Sequence, residues 1–594
     1  MDQQRNLFLA IGISIAILVG FQFFYARIFP PKPEPVVQTQ NTPASPGASA
    51  PGQAASPAQG GAAVPGIQGA VVTASRESVL AQSPRVAIAT PRLKGSINLT
   101  GGRIDDLTLI DYRETIDPNS PQIVLLAPDG TEYPYFVEFG WVAGDAAAKV
   151  PGPDTRWTSS GGALTPDHPV DLTWDNGAGL TFTQHYAIDA NYMFTVTSRI
   201  LNRTNQPVNL VPYERIARLG EVQTSKTYLL HEGPIGVLDG KLHDGSCVLG
   251  LACDPFNYPD MKNGNLPPAY ASTGGWLGFT DKYWLTALIP DQGQVIHADL
   301  KYGTAGNTDI YQTDYTGPVQ SVAPGQSAET ASHVFAGAKE VALLDRYEIQ
   351  NRIPSFDRAI DFGLFYWITK PIFLMLDFFY KLIGNFGLAI MLLTVIIKLA
   401  FFPLANKSYR AMGKMKKLQP EIQKLREKFG EDKEKLNKEM MALYKRVGAN
   451  PMAGCLPIVI QIPVFFSLYK VLYVTIEMRQ APFYGWIHDL SAPDPTTFVN
   501  LFGLLPFAPP EIAFLHSIMH IGAWPLIMGV TMFLQQKLNP APPDPIQAKM
   551  FMVLPFVFTV MLGQFAAGLV IYWSWNNLLS IAQQWTIMRR ARND

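Results

Sequence analysis

Cysteine is scarce. The three in the chain, Cys247, Cys253 and Cys455, form no CxxC pair and no Cys/His cluster at zinc spacing, so no metal centre is expected. The motifs GxxxxGK(S/T), HExxH and GxSxG are all missing, which removes P-loop hydrolysis, zincin proteolysis and α/β-hydrolase chemistry. Nothing in these motifs calls for a nucleotide, a metal or another cofactor, and none is expected. Charge is scarce too: 16% of residues are charged against 47% apolar, the balance of a membrane protein carrying a soluble part. The net charge of -1 says little; its distribution says more.

Long apolar runs punctuate the chain. Leu7 to Tyr25 is long enough to span a bilayer, follows Arg5, and is followed by ARIFPPKPEP instead of a small-x-small cleavage site. It reads as an uncleaved anchor (1–29) with its N-terminus in the cytoplasm. Residues 30–83 are Pro, Ala, Gly, Gln and Ser with few large apolar residues, a composition that cannot bury enough surface to fold and predicts a disordered tether.

Between 84 and 345 the pattern changes to short alternating runs with turn signals between them. Phe194, Val196 and Ile200 fall on one side of MFTVTSRIL, and the NRTNQ turn closes it. A large antiparallel β domain, a sandwich, is expected. If the anchor runs outward, this domain is extracytoplasmic, where a disulfide between Cys247 and Cys253 could close the SCVLGLAC loop; two unpaired core cysteines are the other reading. The histidines 168, 185, 231, 243 and 297 are scattered, as ordinary surface or core residues are.

Residues 346–383 are aromatic-rich yet interrupted by Asp357, Arg358, Asp361, Lys370, Pro371 and Asp377, which suits an interfacial amphipathic helix better than a span. The run Gly384 to Leu404 reads as a membrane-crossing helix with Lys398 inside it, nearer one face than the centre. An uncompensated charge there costs about 2.5–3.5 kcal/mol. Thr394, one turn earlier, shares its face. Snorkelling toward the interface near Lys407 is one explanation, and a functional polar site is the other.

Residues 405–450 hold thirteen Lys/Arg against six Asp/Glu, which the positive-inside rule places in the cytoplasm. Met415, Leu418, Ile422, Leu425 and Phe429 recur at helical spacing, and a second helix is expected from Asp432 to about Gly448, giving a charged hairpin. Its apolar stripe must meet its partner helix, the lipid surface or another protein. Four further spans are expected at about 455–476, 519–535, 550–565 and 569–587, followed by a short basic tail at 588–594. With the anchor and 384–404 they make six, both termini inside. Each late span carries polar residues: Gln461 between Pro457 and Pro463, Thr531 and Gln535, Thr559, then Tyr572, Asn576, Ser580 and Gln584 as an i+4 stripe. Such residues often only join helices; converging on Lys398, they would form a wet groove. A secondary transporter with a membrane-embedded lysine is the main rival reading, and a membrane-anchored sugar-active enzyme is another.

The segments GCLPIVIQIPVFFSLY, RQAPFYGWIHDLSAPDP, PLIMGVTMFLQQKL and GLVIYWSWNNLLSIAQQ, with KMKKLQPEIQKLREKFGEDKEKLNKEMMALYK, resemble the YidC/Oxa/Alb family of membrane insertases from about Asn351 onward. RVAIATPRLKGSINLTGGRIDDLTLIDY resembles the start of that family's Gram-negative periplasmic domain. The resemblance implies a protein that is not an enzyme: a polytopic α-helical membrane protein with six transmembrane helices, five of them forming the core, a periplasmic β-supersandwich and a cytoplasmic hairpin. It implies a substrate groove in the inner membrane, where Lys398 stands at the family's arginine, Thr394 and Gln461 at its threonine and glutamine, and Tyr572, Trp573 and Asn576 on the last span. Implied partners are nascent membrane proteins, the Sec translocon, membrane lipids, and the ribosome and signal recognition particle pathway at the hairpin, with Lys414, Lys417, Arg426 and Lys428 as docking residues. The chain departs from the pattern in Lys398, in Tyr572-Trp573, in an extended loop at 498–524, and in a short tail.

Overall fold

The computed structural model describes residues 64–67 and 74–593, with breaks at 145–147, 221, 223, 226–229, 246, 249–251, 255, 267–268, 430–431, 448–455, 508–515 and 540–544. The expected anchor, most of the tether and Cys455 lie outside the described residues.

Period-two alternation builds two antiparallel sheets. Strand Leu180–Ile188 buries every second residue, and its neighbour Met193–Asn202 buries Phe194, Val196 and Ile200, the face read from the sequence. Asn202 closes the following turn, donating from Nδ2 to Gln206 O at 2.8 Å and accepting from Thr204 N at 2.9 Å. In the other sheet Val208–Leu219 is central, paired to Tyr135–Ala143 and to Thr308–Thr316. Phe139 and Tyr186 meet edge to face at 5.9 Å between the sheets, so the domain is a β-sandwich closed by aromatic packing.

Two expectations need correction. The end of the tether is folded: Val64 is buried, Ile67 packs beside Phe136, and Arg215 Nη1 donates to Pro65 O at 2.5 Å. Arg76, in the turn of helix Arg76–Leu80, pairs with Asp106. Composition averaged over 30–83 hid the few apolar residues that suffice to dock its last part. The interfacial region is also not one helix. Helix Val341–Gln350, a 3-10 turn at Phe356–Ala359 and helix Tyr366–Ile383 follow one another. The last buries Thr369, Ile372, Phe373 and Leu376 and leaves Trp367, Leu374, Phe378 and Leu382 exposed.

The run 384–404 is likewise two helices. Phe386–Ala400 ends at Phe401, and Phe402–Phe429 leaves it at 68°. Pro403 explains the break: it has no N–H, and its ring would strike the carbonyl of Leu399 in a continuous helix, whereas it fits a first turn. Among the described residues no single helix is long and apolar enough to cross a membrane by length and composition; this bent pair passes that test together.

Apolar packing is continuous from the sandwich through Val341, Phe356 and Phe373 into Leu393, Leu472 and Tyr572. Polar ties reinforce the junction. Glu477 Oε1 accepts from Val341 N at 2.9 Å at the start of its helix, Lys470 pairs with Asp361 at 2.7 Å, and Arg479 Nη2 donates to Arg113 O at 2.5 Å. Burial pushes the Glu477 carboxyl up to about 7, helped by the negative charges of Glu340 and Asp377.

Candidate functional site

Helix Ala567–Asn593 is the hub of the helical part, packing on Ala523–Leu538, Phe386–Ala400, Phe402–Phe429 and Leu456–Val474. Residues four apart share a face, so the predicted stripe Tyr572, Asn576, Ser580, Gln584 turns inward, and all four side chains are buried. Other elements meet it step by step. Gln461 Nε2 donates to the Tyr572 hydroxyl, and Lys398 Nζ donates to Ser580 Oγ at 2.8 Å. Gln584 Nε2 donates to Asn539 Oδ1 at 3.1 Å. The Gln461 and Lys398 contacts are eight residues apart on the hub, about 12 Å of helix.

Capacity for hydrogen bonding is left over. Asn576 Oδ1 and Gln584 Oε1 are buried without a partner among the described residues. An ammonium has three donors, and Lys398 directs one at Ser580. Lys398 lies in the last turn of its helix, where the C-terminal dipole favours a cation.

Not every predicted residue joins the stripe. Thr394 is buried, but its hydroxyl donates to Ile390 O at 2.7 Å within its own helix. Trp573 points off the stripe to pack with Phe465, ring centroids 4.5 Å apart, and with Phe558. The structure adds residues that the sequence reading passed over. Asn577 donates to Thr531 Oγ1 at 3.3 Å, Trp575 Nε1 to Met391 O at 3.1 Å, and Tyr409 lies within hydrogen-bond reach of Ser580. The adjacent asparagines were the available signal for the first; the bend at Phe401 that brings Tyr409 back left none.

The charged hairpin closes on itself. Leu418 and Ile422 of Phe402–Phe429 pack on Leu443 and Tyr444 of Lys433–Val447, so the apolar stripe meets its partner helix. Lys414, Lys417 and Lys428 are exposed, and Arg426 is half-buried. In the β domain the backbone register sets Cys247 opposite Cys253. Among the described residues no group of three or more His, Cys, Asp or Glu could hold a metal ion.

Residues 85–375 match the model of the YidC periplasmic domain, and residues 378–594 match that of the 60Kd inner membrane protein. A protein named membrane protein insertase YidC from Granulibacter bethesdensis is 51% identical, over 100% of this chain and 98% of its own. One of the same name from Rhizobium meliloti is 51% identical over 99% and 96%. The chain belongs to the YidC family of membrane protein insertases. A solved active YidC insertase with its first transmembrane domain resolved is 16% identical over 87% of this chain and 94% of its own, with a TM-score of 0.34; the assignment stands on the sequence matches. Membership in an inner-membrane insertase family with a periplasmic domain displaces both the transporter and the sugar-enzyme readings. An insertase moves a segment between solvents and need make or break no bond.

Proposed function

We propose that this insertase passes the polar parts of nascent membrane proteins along the inward stripe of its last helix, with Lys398 as the charge that attracts them. The observation that carries this reading is a set of polar groups with spare capacity: Asn576 Oδ1 and Gln584 Oε1, buried without a partner among the described residues, and the half-buried Lys398 ammonium. An unsatisfied polar group in hydrocarbon costs several kcal/mol. A stripe that can donate and accept lowers that cost for a translocating loop, while burial of the client's apolar span in lipid supplies the drive at about 25 cal/mol per Å². Trp573, beside Phe465, offers an apolar contact next to the stripe, and Thr394 lines the same helix face as Lys398.

The spans at 384–404, 455–476, 519–535, 550–565 and 569–587, with the N-terminal anchor, make six in this reading. Helix Phe386–Ala400 has 15 residues, about 22 Å at 1.5 Å each, short of the ~30 Å hydrocarbon layer. Such a mismatch thins the bilayer locally, which shortens the dry path further. In the same reading Lys414, Lys417, Arg426 and Lys428 on the cytoplasmic hairpin dock the ribosome or the signal recognition particle pathway, the periplasmic domain meets the Sec translocon, and Cys247 and Cys253 form a disulfide, a pairing that their opposed backbone register supports. A photoreactive residue at Ser580 should crosslink a ribosome-bound client, whereas one at Leu578, exposed on the opposite face, should not. Equal crosslinking at the two positions would remove the stripe from the pathway.

A further inference from the structure

The extended loop after Asp494 is built inside out. Between Asp494 and Glu511 no residue is charged, and the sequence reads PTTFVNLFGLLPFAPP. Six apolar side chains of its described part, Phe498, Leu501, Phe502, Leu504, Leu505 and Phe507, are exposed; Leu504 is 82% exposed. Much of the backbone beneath them is hydrogen-bonded within the loop. Phe502 N donates to Thr497 O at 2.8 Å, Gly503 N to Asn500 Oδ1 at 2.9 Å, Leu505 N to Asn500 O at 3.0 Å, and Phe507 N to Leu505 O at 2.9 Å. Asn500 Nδ2 donates to Phe507 O at 3.2 Å. Leu501 and Phe502 both adopt left-handed φ, 52° and 60°, a conformation that side chains disfavour and that this hydrogen-bonded knot holds.

Water would favour the opposite arrangement, with Leu and Phe turned in and peptide groups out. Hydrocarbon demands internally satisfied backbone and apolar side chains outside. We propose that residues 498–507 form a lipid-docking loop seated among the acyl chains of the outer leaflet. Its side of the membrane follows from its attachment: it lies between helices Leu456–Val474 and Ala523–Leu538, and Arg479, in the same connection, is bonded to Arg113 of the periplasmic domain. Its surface continues into the membrane face of the core. Thr497 Oγ1 donates to Met519 O at 2.5 Å and Phe498 N to Ile521 O at 3.2 Å, directly before a helix whose Ile527, Val530 and Leu534 form an exposed apolar stripe at helical spacing. Beside it Trp486, whose indole donates to Asp494 Oδ1 at 3.2 Å, and Tyr484 are exposed, as aromatic residues are at a bilayer interface. A charged rim of the kind that frames protein interfaces is not supplied by the stretch itself, in which no residue between Asp494 and Glu511 is charged. The proposal rests on the inner-membrane reading of the family.

The test uses the wild-type chain in vesicles containing a phospholipid with a diazirine on its acyl chain. After photolysis, lipid adducts are mapped to peptides by mass spectrometry. Adducts are expected on residues 498–507 at the level of the peptide carrying exposed Phe556 and Met561, with none on β-domain peptides carrying Val295 and Val319, which are equally exposed. Leu501→Asp with Leu504→Asp should abolish labelling of the loop and leave the Phe556 peptide labelled. A blank loop beside a labelled Phe556 peptide overturns the proposal, and a photo-leucine at 504 that crosslinks to a protein in native membranes would then identify a protein-docking surface. A blank Phe556 peptide would instead contradict the membrane reading itself.

Discussion

At the scale of single residues, the placement of Lys398 decides what its charge costs. Two residues from the end of its helix, the ammonium is bonded to Ser580 at 2.8 Å, which gives it a polar partner inside the bundle. Gln461 does the same work one helix over. Its bond to Tyr572 joins Leu456–Val474 to the hub, and a net bond of this kind is worth about 0.5–1.5 kcal/mol, with more lost when a buried partner is orphaned. Gln461→Ala is therefore expected to lower thermal stability in detergent by about 1–2 kcal/mol, whereas Tyr572→Phe, which removes the hydroxyl and leaves Gln461 half-buried and able to find water, should cost less. Equal losses would mean that the pair contributes packing alone. Much at this scale was legible in the sequence, because Tyr572, Asn576, Ser580 and Gln584 repeat at the helical period and nothing interrupts them. What a hydroxyl chooses as its partner was not. Thr394 shares the face of Lys398 as spacing requires, yet its hydroxyl turns back to Ile390 O, a local bond that competes with any partner across the bundle.

Between elements, close approach and buried charge set the terms. At Gly529 a Cβ would lie well inside contact distance of Thr559 Oγ1, so helix Ala523–Leu538 and helix Pro545–Leu562 meet at a residue without a side chain. Alanine is the better helix former, but here Gly529→Ala should destabilise the core by roughly 1–3 kcal/mol through overpacking. Thr559→Ala in the same chain should restore most of that loss, and failure of the rescue would locate the strain elsewhere. Glu477 ties the β domain to the core through Val341 N. Its carboxyl titrates near 7 when folded and near the ordinary 4.5 when unfolded. The folded chain thus holds a proton that the unfolded chain has lost, and stability is highest below about 4.5 and falls as pH rises toward about 7. Across that window the stability of the wild type should decline by an amount on the order of 1–3 kcal/mol, read as a falling Tm, and Glu477→Gln should decline less steeply, because the buried Glu214 carboxyl, also pushed up to about 7, titrates in the same window. Parallel profiles in the two proteins would assign the pH dependence to another group. The tie itself could not be read from the sequence, since it joins residues 136 apart, and neither could the bend at Phe401, because the apolar run continues through it and conceals the consequence of Pro403.

Across the described residues, the β-sandwich and the helical part share one apolar core, and the inward stripe meets the lysine helix at Ser580. The succession of a β domain and a helical part was legible because composition and periodicity change sharply between them. Pro403 divides the apolar run 384–404 into two helices, whereas Leu456–Val474 and Pro545–Leu562 run on through Pro463 and Pro555. The account makes one central claim, that a positive charge at Lys398 on the stripe draws polar client segments inward. The most direct measurement compares wild type, Lys398→Arg, Lys398→Ala and Lys398→Glu in vesicles, with insertion of a single-spanning client scored by protease protection. A charge pair at 4 Å is worth about 4 kcal/mol at an effective dielectric constant near 20 and about 1 kcal/mol in water. Lys398→Ala should therefore reduce insertion of a client with an acidic translocated tail by roughly tenfold. Lys398→Glu should reduce it further, Lys398→Arg should retain it, and a neutral tail should be much less affected. Equal insertion by all four proteins would contradict the account and leave Lys398 as a residue that merely reaches toward the interface.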